Sequence, residues 1–123
     1  MTKKPAILII DDNMSFTDRM TGLLEESGHT GCISVAADFK EGYRLFLEQR
    51  PEMVLLDINL PDKNGIELLK VIRQSKGNCE VIMITNHTGR NYRQQCRELG
   101  VRYFLDKTND FSLVTEIIAG TVC

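Results

Sequence analysis

Five short apolar runs recur along the chain, at residues 6–10, 32–35, 54–56, 81–85 and 101–105. The longest of them do not alternate with polar residues, as expected of strands covered on both faces. Between and after them, apolar residues recur at spacings of three and four, which predicts helices. The stripes are Phe16, Met20, Leu23 and Leu24; Phe39, Tyr43, Phe46 and Leu47; Ile66, Leu69 and Ile72; Tyr92, Cys96 and Leu99; and Phe111, Val114, Ile117 and Ile118. Predicted strands begin near residues 6, 31, 53, 80 and 101. Each interval holds one strand, one helix and two short loops. Strict alternation of this kind predicts an α/β protein: (βα)5, a doubly wound parallel five-stranded sheet with helices on both faces. Residues 1–123 read as one domain.

The polar residues that interrupt this pattern gather at one kind of place. Asp11 and Asp12 follow the first run, Asp57 the third, Thr85 closes the fourth, and Lys107 lies just beyond the fifth. An ionised carboxylate is costly inside an apolar layer. Asp57 therefore belongs where the strand leaves the sheet, ahead of a loop marked by Pro61 and Asp62-Lys63-Asn64-Gly65. The carboxyl ends of parallel strands share one edge of the sheet, where ligands bind in such folds. Three carboxylates brought close together repel one another and call for a cation. Magnesium suits an all-oxygen site with few protein ligands. Carboxylates, a metal, a hydroxyl and a lysine are equipment for phosphoryl transfer, with one carboxylate as nucleophile.

Composition narrows the function classes. Hydrophobic residues make up 42% of the chain and charged residues 26%, as in an ordinary globular protein. The formal charge of −2 gives no electrostatic case for nucleic acid or an anionic membrane. No apolar run approaches the roughly 18 residues of a membrane span. The basic start Met1-Thr2-Lys3-Lys4-Pro5 leads into a run too short for a secretory signal, so a cytoplasmic location is expected. Cys32, Cys79, Cys96 and Cys123 form no C-x-x-C pair and have no histidine at zinc-ligand spacing. They read as reduced thiols, with Cys123 the most reactive.

With these residues in order, the chain resembles the receiver domain of bacterial two-component response regulators over essentially its whole length. The resemblance rests on Asp11-Asp12, Asp57, Thr85, Tyr103 and Lys107. It implies a flavodoxin-like sheet of order 2-1-3-4-5. It also implies that Asp57 accepts a phosphoryl group from a histidine kinase or phosphotransfer protein. Asp12 and Asp57 would bind Mg2+ directly, Asp11 largely through water, and the Asn59 backbone carbonyl would complete the protein ligands. Thr85 and Lys107 would contact phosphate oxygens. Tyr103 would swing inward as Thr85 moves, switching the surface of the fourth helix, fifth strand and fifth helix for a downstream partner. The chain would assist its own phosphorylation and dephosphorylation without being an enzyme in the usual sense. The ending of residues 103–111 is similar to stand-alone receivers.

The sequence departs from that family's pattern in places. Asn86 stands where a small residue is usual and would either narrow access to Asp57 or add a hydrogen-bond partner. Thr108 stands where proline is common after the lysine, leaving the isomer of the Lys107–Thr108 peptide open. Asn59 and His87 flank the path of attacking water and would tune the phosphorylated lifetime. Arg90, Arg93 and Arg97, with Arg102, form a stripe suited either to solvent or to a docking partner. Two other readings compete. A haloacid-dehalogenase-like phosphatase would want an acid two residues after Asp57, where Asn59 stands. A receiver-like scaffold that is never phosphorylated would usually lack Asp57, Thr85 or Lys107.

Overall fold

The computed structural model describes residues 4–75, 77–86 and 90–122. Five strands alternate with five helices: β1 (Ile7–Ile10), α1 (Met14–Ser27), β2 (Ile33–Ala36), α2 (Phe39–Gln49), β3 (Met53–Leu56), α3 (Gly65–Gln74), β4 (Glu80–Thr85), α4 (Arg90–Glu98), β5 (Tyr103–Asp106) and α5 (Leu113–Val122). All strand pairs are parallel, and the sheet order is β2-β1-β3-β4-β5. The expected doubly wound α/β architecture, strand order included, is the one observed.

Burial explains why the central strands carry no polar alternation. Every residue of β1 and β3 is buried, because helices cover both sides. Even-numbered β1 and β3 residues, Leu8, Ile10, Val54 and Leu56, pack with α2, α3 and α4 through Phe46, Leu69 and Cys96. Their odd-numbered neighbours Ile7, Ile9, Met53 and Leu55 pack with α1 and α5 through Phe16, Met20, Val114 and Ile118. Side-chain period two thus divides the core into two layers.

Three helices begin at side-chain caps. Asn13, Asp38 and Asn64 each accept a backbone N–H from the first turn of α1, α2 and α3 respectively. The first cap stands directly after the acidic pair, so Asp11 and Asp12 are not needed to start the helix.

Two sequence expectations need correction. The α2 stripe was expected to include Tyr43 and Leu47, but both are exposed. The buried residues are Gly42 and Phe46, with Phe39 and Leu45 half-buried beside them. A Cβ at Gly42 would lie 2.9 Å from Ile10 Cδ1, so this glycine lets α2 sit close on β1 and sets which face turns inward. The fifth strand was expected from residue 101 but begins at Tyr103. Gly100 takes a left-handed φ of 84°, and the Val101 amide donates to Cys96 O, closing α4 rather than joining the sheet. Val101 therefore packs in the layer of α2, α3 and α4, while Tyr103 and Leu105 pack in the other. The three do not share a face.

Cys32, Cys79 and Cys96 are free thiols, and Cys123 lies outside the described residues. No helix among the described residues is long and apolar enough to cross a membrane.

Candidate functional site

The parallel ladder carries Asp11 and Asp57 to adjacent positions. Asp57 N donates to Ile10 O at 3.1 Å, and Asp11 N donates to Ala36 O at 2.9 Å, continuing the β3–β1 and β1–β2 pairings past the strand ends. Both carboxylates are buried, whereas Asp12 is exposed. One ligand oxygen from each of Asp11, Asp12 and Asp57 lies within 4.8 Å of the others.

Lys107 enters this cluster from the loop after β5. Its backbone N–H donates to Thr85 O at 3.1 Å, tying it to the end of β4. Asp106 Oδ1 accepts from the Thr108 and Asn109 amides, and Asp110 Oδ2 accepts from the Asp106 amide. These bonds shape the loop without proline, and the Lys107–Thr108 peptide is trans. Lys107 Nζ donates to Asp57 Oδ2 at 3.0 Å and lies 2.7 Å from Asp11 Oδ2. The shorter contact is a charge-assisted one, and it is the main partner of the buried Asp11 Oδ2.

One ammonium among three carboxylates leaves the cluster net negative. Burial pushes the Asp11 carboxyl above its ordinary range, despite Lys107 and the Asn13 amide, which pull it down. Burial works against the charged form of Lys107 as well. There the attraction of Asp11 and Asp57 outweighs it, and the lysine is raised. A hard divalent cation fits this donor set: oxygens only, with a surplus of negative charge.

The loop after Asp57 is pinned on both sides. Asn59 is exposed, pairs with Asn64 across the loop, and donates its N–H to Asp57 Oδ1 at 3.4 Å. Asp62 accepts from the Phe39 and Lys40 amides at the start of α2, which holds its carboxyl below the usual range. A Cβ at Gly65 would lie 2.0 Å from Asp57 O, so only glycine admits this approach of α3 to the Asp57 backbone.

The remaining expected residues are distributed unevenly. Thr85 is fully buried at the end of β4. Asn86 is exposed and lines a groove of about 250 Å³ together with Asn13, Phe16 and Lys107. His87 lies outside the described residues. Tyr103 is not brought to the site: it packs on the α1 and α5 side and borders a cavity with Pro5, Glu52 and Ile117. The aromatic on the α4 side is Phe104, with Arg93 Cζ 4.8 Å from its ring centroid. Arg93 and Arg97 are exposed, whereas Arg102 pairs with Glu80.

Sequence reasoning overlooked Phe104, Gly65 and Asp62. The strand parity that separates Phe104 from Tyr103 is visible in the sequence once the true start of β5 is known. Gly65 and Asp62 had been read only as loop markers, because their roles depend on which backbone atoms approach them.

Comparison with known proteins agrees with this geometry. The response regulator receiver domain family profile matches residues 7–119. The chain is similar to the transcriptional regulatory protein CpxR of Escherichia coli (strain K12), with 37% identity over 114 residues. That match covers 92% of this chain and 47% of CpxR, so the chain spans about half the length of that relative. A CheY-like response regulator receiver domain protein from Methanospirillum hungatei JF-1 superposes with a TM-score of 0.88 at 25% identity, covering 98% of this chain and 94% of that one. The CheX-CheY-BeF3-Mg+2 complex from Borrelia burgdorferi gives 0.84 at 26% identity, covering 96% and 89%. Receiver domains are generally phosphoacceptors that bind Mg2+ at an acidic pocket and interact with histidine kinases or phosphotransfer proteins. The phosphatase alternative falls away, and the clustered Asp11, Asp57 and Lys107 lie within the matched span: this chain belongs to the response regulator receiver domain family.

Proposed function

We propose that Asp57 of this receiver accepts a phosphoryl group from a histidine kinase or phosphotransfer protein, and that the receiver occupies residues 1–123. The observation that carries this reading is Lys107 Nζ within 3.0 Å of oxygens from both Asp11 and Asp57. A carboxylate nucleophile and a cation for the incoming phosphoryl oxygens then stand side by side. An Asp57 oxygen bonds to phosphorus as the donor P–N bond breaks, and the departing imidazole nitrogen takes up a proton. Lys107 neutralises one phosphoryl oxygen, and the Thr85 hydroxyl donates to another. Asp12, Asp57 and the Asn59 carbonyl would hold Mg2+ directly and Asp11 through water; the ion, when bound, offsets negative charge on the carboxylates and phosphoryl oxygens.

Return to the ground state is attack of water on phosphorus as the Asp57 O–P bond breaks, which frees the carboxylate and releases inorganic phosphate, with Asn59, Asn86 and His87 tuning its rate. The switch runs from Thr85 to an aromatic side chain on β5. Phe104 suits that task better than Tyr103, because it packs on the α4 side. The altered α4, β5 and α5 surface, with Arg93 and Arg97 exposed, is where a downstream protein would dock. A cytoplasmic location fits a receiver supplied by a histidine kinase.

Acetyl phosphate provides the test. With Mg2+, the intact mass should rise by one phosphoryl group. Chelation of the metal or Asp57→Asn should abolish the gain. Incorporation that persists undiminished in Asp57→Asn would overturn the assignment.

A further inference from the structure

Among the described residues, three groups flank the Lys107 ammonium. Two are the carboxylates of Asp11 and Asp57, at 2.7 and 3.0 Å. The third is the Phe16 ring, whose centroid lies 4.7 Å from Nζ. Phe16 sits in the first turn of α1, where its amide donates to the Asn13 cap. Its ring is buttressed by Phe111 in an edge-to-face contact, with centroids 5.8 Å apart and an interplanar angle of 82°. Arg19 Cζ lies 4.7 Å from the centroid of the Phe111 ring.

We propose that Phe16 is a positioning residue that holds the Lys107 ammonium beside Asp57 when a divalent cation occupies the carboxylate cluster. The proposal rests on Asp57 being the phosphoacceptor. In that reading both carboxylate neighbours of Lys107 are also neighbours of the metal. A cation there competes for their oxygens and repels the ammonium. Attraction to the ring face does not depend on those oxygens. Without the ring, the flexible lysine stem could turn into the groove lined by Ser15, Asn86 and Thr108, where water would solvate its charge. The edge-to-face contact with Phe111 limits tilting of the Phe16 ring, so the same pair also limits that escape.

Two measurements test this on the full chain. In wild-type protein, proton NMR should find the Lys107 Hε resonances displaced upfield by the Phe16 ring, and still displaced at saturating Mg2+. Collapse to ordinary lysine positions on adding Mg2+ would overturn the proposal. In acetyl phosphate labelling, Phe16→Leu should slow the maximal rate about fivefold, within the range of a partly desolvated cation–π contact. The Mg2+ concentration for half-maximal labelling should not rise. Phe16→Tyr should restore the rate, and Phe46→Leu, a matched core truncation on the other side of the sheet, should leave it unchanged. Equal slowing by Phe16→Leu and Phe46→Leu, or no slowing by Phe16→Leu in a protein that labels normally, would overturn the proposal and leave Asp57 as acceptor. Failure of the wild-type chain to label would overturn the phosphoacceptor reading, and this proposal with it.

Discussion

Replacing Lys107 with methionine removes the charge while keeping much of the apolar stem. At the observed separations of 2.7 and 3.0 Å, with an effective dielectric constant of about 20, each carboxylate attracts the ammonium by about 6 kcal/mol before desolvation is counted. The cost of burying all three charges cancels most of that sum. Removing one partner of a buried pair nevertheless costs about 3–5 kcal/mol, because the other charge stays buried. The crevice opens to water beside Lys107, which favours the lower end, about 3 kcal/mol. Urea unfolding in EDTA at pH 7 measures this as a lowered midpoint with an unchanged slope. Mg2+ should then stabilise Lys107→Met more than wild type, because the metal no longer competes with the ammonium for the same oxygens. Equal metal-free stability of the two proteins, or a smaller Mg2+ response in the variant, would refute the electrostatic account of the cluster.

Other expectations follow from individual groups. Burial raises the Asp11 pKa, so the folded state holds that proton more tightly than the unfolded chain, and Asp11 opposes folding at neutral pH. In EDTA, Asp11→Asn should therefore be more stable than wild type at pH 7, with the gap narrowing as pH falls through the raised pKa toward 3.8; calorimetry showing the opposite trend would contradict this. Gly65→Ala should cost about 3 kcal/mol through overpacking against Asp57 O, and slow phosphorylation as well; a fall in Tm of less than about 2 °C would count against that close approach. Burial pushes the Cys79 thiol up to about 12 and the Cys96 thiol to about 11, whereas Cys32 is exposed. Iodoacetamide at pH 8 should mark Cys32 in the native protein and reach Cys79 and Cys96 only after denaturation, as read by peptide mass mapping.

The hydrophobic pattern was sufficient for the number, order and type of the elements, because each central strand is buried on both faces and each helix on one. The placement of Asp11, Asp57 and Lys107 together followed from parallel strands ending at one edge. Less legible were features set by backbone approach. Val101 looks like strand in sequence, yet its amide closes α4, and that shift reverses which aromatic faces α4. Tyr43 and Leu47 have helical spacing, but Gly42 turns α2 so that they face water. Phe16 was correctly placed in the core, but apolar spacing could not show that its ring would lie against the Lys107 ammonium.

The central claim is that one carboxylate, Asp57, takes the phosphoryl group. Borohydride reduces an aspartyl phosphate to homoserine, so reduction after incubation with acetyl phosphate and Mg2+ marks the acceptor permanently. Peptide sequencing by mass spectrometry should find homoserine at position 57, and none when Mg2+ is withheld. Homoserine at position 11 or 12 instead, or no homoserine in protein that has gained phosphoryl mass, would contradict the account.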